Sequence, residues 1–133
     1  MAGTVVDPVK LSALNSVIAD FLTGGFCFLF TDDVPVAHDS VKGDFTEAAW
    51  TGYNQAALTG WTSPALTGDF HYKTTADAVT FSNMSGTTQT YRGWGFVDAG
   101  GDLIIAENLG ADIPIADGAT VTLNPFFQDN SEF

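Results

Sequence analysis

The spacing of apolar residues changes character once along the chain, near Gly25. Before it, Leu11, Leu14, Val17, Ile18, Phe21 and Leu22 recur at intervals of three and four, which puts them on one face of a helix. Asp7-Pro8 provides an N-cap followed by proline at the first helical position, and Gly24-Gly25 provides the stop. The spacing therefore predicts one amphipathic α-helix over 7–24, whose stripe covers a sheet of its own chain or docks a neighbouring subunit.

Beyond Gly25 the texture becomes short segments rich in Thr, Val, Phe, Tyr and Trp, punctuated by Gly, Asp and Asn, as in all-β proteins. Strands are predicted at Phe26–Thr31, Asp44–Ala48, Tyr53–Leu58, Phe70–Thr74, Ala78–Ser82, Thr88–Asp98, Leu103–Asn108 and Thr120–Pro125. Eight such segments suit a jelly-roll-like antiparallel β-sandwich. Turns are expected at Asn83–Gly86, Asp98–Asp102 and Ala116–Gly118, the last two as hairpin or near-hairpin connections. The stretch Thr59–Gly68 reads as a loop, with Pro64 barring a central strand. It is either a functional loop or a surface crossing between sheets. The predicted organisation is an arm and helix over 1–25, a β-sandwich over 26–127 and a C-terminal tail over 128–133, ordered by contact with something else.

Composition narrows the classes. The chain has 133 residues, 4 Lys+Arg and 16 Asp+Glu, a net charge of -12. A deficit of cations this large, with Lys10, Lys42, Lys73 and Arg92 scattered, argues against a phosphate backbone as partner. The longest apolar run, Gly24 to Phe30, is far short of the ~20 residues that cross a bilayer, and no signal-peptide pattern opens the chain. Neither nucleic acid nor membrane is expected as a partner. With 45% hydrophobic and 13% aromatic residues the chain is expected to be a soluble, folded, acidic domain rather than a disordered tail. Cys27 has no partner for a disulfide, and its setting Gly25-Phe26-Cys27-Phe28-Leu29-Phe30 is that of a buried hydrophobe, not a nucleophile.

Candidate chemistry is sparse. His38 and His71 sit in no motif and are expected at the surface, and phosphate-loop, Gly-x-Ser-x-Gly and His-Glu-x-x-His patterns are absent. Gly93-Trp94-Gly95 lacks the third glycine and helix of a nucleotide loop. Asp98 and Asp102 on their Gly-rich turn could face a cation, but no closing Glu follows at calcium-loop spacing, so an ordinary turn is the better reading. Asp32, Asp33 and Asp39 form a second acidic loop of the same standing, and one Cys with two unrelated His gives zinc no support. No cofactor and no metal is expected. Trp50 and Trp94 fall in core patterns, whereas Trp61, in the Gly60-Trp61 loop, is expected to be exposed for a glycan or a subunit.

Three segments together resemble small virion proteins of tailed bacteriophages. They are Phe28-Leu29-Phe30-Thr31-Asp32-Asp33-Val34-Pro35; Asp44-Phe45-Thr46-Glu47-Ala48-Ala49-Trp50-Thr51-Gly52-Tyr53; and Val79-Thr80-Phe81-Ser82-Asn83 continuing through Gln89 to Ala99. The closing Gly118–Pro125 fits the same layout, so the resemblance spans roughly residues 26–127. Gly93-Trp94-Gly95 and the N-terminal helix depart from the pattern. The resemblance implies a non-enzymatic, jelly-roll-like decoration or cement protein on the capsid surface, made in the host cytoplasm, or alternatively a tail or fibre component. It carries over no catalytic residue. The partners it implies are the major capsid protein and copies of itself, as a trimer. Contact residues would be Leu14, Ile18, Phe21 and Leu22 on the helix, Trp61, and the C-terminal Phe126, Phe127 and Phe133. Two readings from other classes are a carbohydrate-binding module stacking a sugar on Trp61 and Tyr53, and a small hydrolase using an Asp/Glu pair.

Overall fold

The computed structural model describes residues 23–63, 65–66 and 72–128, of which the side chains of Leu66, Tyr72, Phe127 and Gln128 are left aside. The helix predicted over 7–24, and with it Leu14, Ile18, Phe21 and Leu22, lies almost wholly outside the described residues, as do His71 and Phe133.

From Gly25 onward the described chain is all-β and antiparallel apart from one short 3-10 turn. The strands are β1 (Phe26–Phe30), β2 (Ala56–Ala57), β3 (Ala65–Leu66), β4 (Tyr72–Thr75), β5 (Val79–Ser82), β6 (Gln89–Val97), β7 (Leu103–Ile115), β8 (Thr120–Leu123) and β9 (Phe126–Gln128). They form a four-stranded sheet in the order β2-β1-β6-β7, a three-stranded sheet β3-β4-β9 and a two-stranded sheet β5-β8. β1 is buried on both faces because its alternating side chains serve two different clusters. Cys27 and Leu29 point into the main core with Leu58, Val79, Phe81, Tyr91, Phe96 and Ile115, which joins the four-stranded sheet to β5-β8. Phe28 and Phe30 point the other way, into a smaller cluster with Phe45 and Val97, flanked by Val34.

That second face explains Gly93-Trp94-Gly95. In the β1–β6 register Phe28 stands opposite Gly95 and Phe30 opposite Gly93. A Cβ on Gly95 would lie 2.6 Å from the Phe28 ring, and one on Gly93 would collide with both the Phe30 ring and the Glu107 carbonyl. The two glycines are the floor on which aromatic rings from the neighbouring strand lie, a cross-strand pairing that repays the missing side chains with buried aromatic area. Trp94 and Phe96, in the alternate positions, face the main core with ring centroids 4.9 Å apart.

Several predicted elements need correction. Asp44–Ala48 is not a strand: Lys42–Asp44 is a turn of 3-10 helix, and the segment touches β1 through a single bridge, Phe30 to Glu47. The reason is competition for one edge, since β2 already pairs with Phe26 and Cys27 and leaves only the end of β1 free. Tyr53–Leu58 shrinks to Ala56–Ala57, because Gly52 at φ 93 and the Tyr53 N–H bond to the Trp50 carbonyl make a turn instead. Within the predicted loop 59–68, Ala65–Leu66 pairs with β4, as an edge strand that the preceding Pro64 does not forbid. Phe126–Gln128 pairs with β4, which carries sheet structure one residue past the predicted boundary at 127. β7 runs seven residues beyond the predicted Asn108 to Ile115, past a bulge where Leu109–Asp112 stand opposite Arg92 alone. Finally, Ala116–Gly118 is a turn but not a hairpin, since β7 pairs with β6 while β8 pairs with β5. The Asp98–Asp102 connection between β6 and β7 is a hairpin as expected.

Candidate functional site

Polar side chains of the described residues form three pins that hold segments together. The first is built on Glu47. Its carboxylate accepts hydrogen bonds from Lys42 Nζ, Gln55 Nε2 and Tyr53 OH, each at 2.8 Å, and the Tyr53 oxygen in turn accepts the Leu29 N–H of β1 at 3.1 Å. Lys42 lies 5.1 Å from the centre of the Phe28 ring. Tyr53 stacks on Phe81 at 5.7 Å, and Trp50 donates its indole N–H to the Ser82 carbonyl at 2.9 Å. The segment 47–53 therefore ties β1 to β5.

Burial alone would raise the Glu47 carboxyl, but the hydrogen bonds from Lys42, Gln55 and Tyr53 outweigh it and hold its pKa below the ordinary 4.5. Burial, reinforced by the Glu47 charge, pushes the Tyr53 hydroxyl far above its usual range despite the Leu29 N–H. A depressed carboxyl stabilises the fold fully above its unfolded pKa and loses that contribution as pH falls through its folded value. Glu47→Gln is thus expected to cost about 1–2 kcal/mol near neutral pH. The gap between variant and wild type should close as acid titrates the wild-type carboxyl. Urea unfolding of both proteins at about pH 7 and about pH 3 checks this, and a gap unchanged by pH would rule out the ionised carboxylate as its source.

The second pin is Arg92, which lies 3.2 Å from Asp33 and 3.5 Å from Asp112 and donates to Asn108 Oδ1 at 3.3 Å. Asn108 donates to Asp33 at 2.9 Å, so the β7 bulge and the loop after β1 close on one guanidinium. With Asp33 and Asp112 largely exposed, these ion pairs position the loop more than they stabilise it.

The third is Asn83, fully buried. Its Nδ2 donates to the Thr87 and Ile115 carbonyls at 2.8 Å each, and its Oδ1 accepts from Ser85 N–H at 3.0 Å and Ser85 Oγ at 2.7 Å. Its main chain bonds Ala119 O and Gly118 N. One residue thereby locks the two corners where the chain passes between the four-stranded and two-stranded sheets, β5 to β6 and β7 to β8. Nothing in the local pattern Thr80-Phe81-Ser82-Asn83 marked it for this role.

Of the predicted contact residues, Trp61 is corrected: it is half-buried against the main core, and its buried indole N–H has no hydrogen-bond partner among the described residues. Thr62 next to it is fastened to β4 through Thr75, beside the packing of the indole against the core. Phe126 is 49% exposed, with Lys73 Nζ 4.2 Å from its ring centre. Phe127 belongs to β9, where its backbone pairs with Thr74 of β4. Asp98 Oδ1 accepts the Gly100 and Asp102 N–H groups at 2.9 Å each, which makes it the cap of its turn. Asp32 likewise accepts from Thr46 N at 2.9 Å and Oγ1 at 3.1 Å. Among the described residues no three His, Cys, Asp or Glu gather as metal ligands. Burial pushes the Cys27 thiol up to about 12, so little thiolate forms near neutral pH. His38 is exposed, as expected.

Set against family models, curated proteins and solved structures, the chain matches none.

Proposed function

We propose that the protein is a non-enzymatic structural protein of a virion, a decoration or cement protein that binds the outer surface of a tailed-phage head, bridges capsid subunits and stabilises the shell. The finer form of the fold belongs to this reading: a jelly-roll-like sandwich with an N-terminal helical arm, assembled with copies of itself as a trimer. The observation that carries it is the state of the ionisable groups. Among the described residues those perturbed by the fold are Cys27, Glu47, Tyr53 and Tyr91, and burial or internal hydrogen bonds account for each. Perturbed groups mark active sites when they converge in a cleft, whereas these hold strands together. Contact, not turnover, is the role such a surface supports.

The segments that resemble phage virion proteins include most of β1, the Glu47–Tyr53 pin, β5 and β6, which supply Leu29, Ala48, Val79, Phe81, Tyr91 and Phe96 to the main core. A charge of -12 keeps many copies apart before assembly, while exposed Phe126 and the apolar stripe from Leu11 to Leu22 offer contact area. The test is to add the full-length protein to expanded and unexpanded phage heads stripped of decoration. Co-sedimentation at fixed stoichiometry with one of them, greater heat resistance of the head and a trimeric mass in solution are the expected results. A monomer that sediments with neither form of head overturns the proposal.

A further inference from the structure

The edge of the four-stranded sheet points to a binding surface beyond the particle contacts proposed above. β7 is an edge strand of 13 residues, and among the described residues no strand pairs with its outer side. An open edge presents unpaired N–H and C=O groups, and natural proteins blunt such edges with bulges, charge or proline. The C-terminal half of β7 is blunted in this way, by the bulge at Leu109–Asp112 and by Pro114, which has no N–H. The N-terminal half carries only a one-residue bulge, at Ile104 opposite the Phe96–Val97 step, and runs in regular register from Ile105 to Asn108. Leu103-Ile104-Ile105-Ala106 is an uncharged apolar run, with two strand-favouring isoleucines, left open to one side.

Beside it lies a groove of about 380 Å³, walled by these four residues and by the Val36–Ser40 loop. Leu103 and Ala106 lie on the face of the smaller cluster and Ile105 on that of the main core, so a cavity that touches all of them reaches the strand from its edge. A Cβ on Gly95 would lie 3.2 Å from the Ile105 carbonyl, and one on Gly93 would meet that of Glu107, so both carbonyls face β6. By alternation the N–H and C=O of Ala106 face the groove. The charge around it has one sign. Asp102 and Glu107 bracket the apolar run on β7 and Asp39 stands on the facing loop, all exposed. The described cations are engaged elsewhere, Lys42 with Glu47, Arg92 with Asp33 and Asp112, and Lys73 over Phe126.

We propose that the outer edge of β7 at Leu103–Ala106, with the Val36–Ser40 loop as its second wall, docks an extended segment of another protein whose apolar residues are flanked by lysine or arginine. Backbone pairing supplies the recognition of a strand, the groove takes apolar side chains, and the acids at its ends select cationic flanks. A second copy of this chain, with its own charge of -12, complements the groove poorly.

The test uses the full chain and two blocked peptides of alternating valine and threonine, one with lysine ends and one with glutamate ends. The lysine-ended peptide is expected to shift the backbone amide resonances of Leu103–Asn108 and to bind at least roughly tenfold tighter than its glutamate-ended counterpart. Ala106→Pro, which removes an outward N–H at an edge position that tolerates proline, should weaken binding at least roughly tenfold. The paired substitution Asp102→Lys with Glu107→Lys, at exposed sites, should reverse the preference, and it carries the test if the proline variant does not fold. Four outcomes overturn the proposal: neither peptide binds, both bind equally, the Ala106 amide is already protected from exchange in the free monomer, or it is protected by a dimer of the chain itself.

Discussion

Gly93→Ala in β6 is expected to lower the unfolding free energy by about 3 kcal/mol, the upper end of what overpacking costs. The added Cβ would meet the Phe30 ring and the Glu107 carbonyl, and the second of these belongs to the paired backbone of β7. A ring can turn away, but a strand carbonyl moves only by breaking its ladder. Gly95→Ala is expected to cost less, about 2 kcal/mol, because its closest neighbours are Phe28 ring atoms at 2.6 and 2.7 Å, while the Ile105 carbonyl is 3.2 Å away. A double-mutant cycle separates the two cases. Phe28→Leu should recover about 1 kcal/mol of the Gly95→Ala loss, whereas Phe30→Leu should recover little of the Gly93→Ala loss. Urea midpoints of the single and double variants measure both couplings. Equal recovery at the two positions would show that the carbonyl contact does not control the cost.

Asn83→Ala is expected to cost about 3 kcal/mol. The side chain makes four hydrogen bonds with no exposure, and its removal leaves the Ile115 carbonyl and the Ser85 N–H without those partners at the corners between sheets. Asn83→Asp should be at least as damaging near neutral pH, because a carboxylate cannot donate and would face the Thr87 and Ile115 carbonyls with like polarity. It should therefore regain stability on acidification, when one oxygen becomes a donor, a trend opposite to that expected of the Glu47 carboxylate. Stability curves for the two variants against pH check the signs. Hydrogen exchange at Ser85 reports whether the corner itself opens, and unchanged protection there in Asn83→Ala would place the loss elsewhere.

The contrast between Glu47 and Asn83 shows how much of the site was legible. Glu47 sits in the segment Asp44–Tyr53 singled out for its resemblance, yet its role as the junction of Lys42, Gln55 and Tyr53 required the fold, since its partners lie five, six and eight residues away in a turn with no helical or strand period. Asn83 was read only as a turn residue, because its partner Ile115 is 32 positions away. Trp61 was misread in the other direction. A tryptophan after glycine in a polar loop looks exposed, and only the tertiary fold packs the indole against the core.

What the chain determined by itself is what depends on neighbours in sequence. Alternation and β-branched or aromatic content place β1, β5, β6 and β8 where they are found, and Asp/Gly chemistry places the turns at Asn83–Gly86, Asp98–Asp102 and Ala116–Gly118. The tertiary structure decided which strands meet. It denied Asp44–Ala48 a ladder because β2 holds the start of the same edge, carried β7 past its bulge to Ile115, and sent β8 to β5 instead of β7. The physical reason is that period and turn propensity are local free energies, whereas register and sheet membership are settled by long-range contacts. Gly93 and Gly95 show the division within one motif. As letters they look like a weakness in a strand, and they become the floor for Phe30 and Phe28 only when β1 is laid beside them.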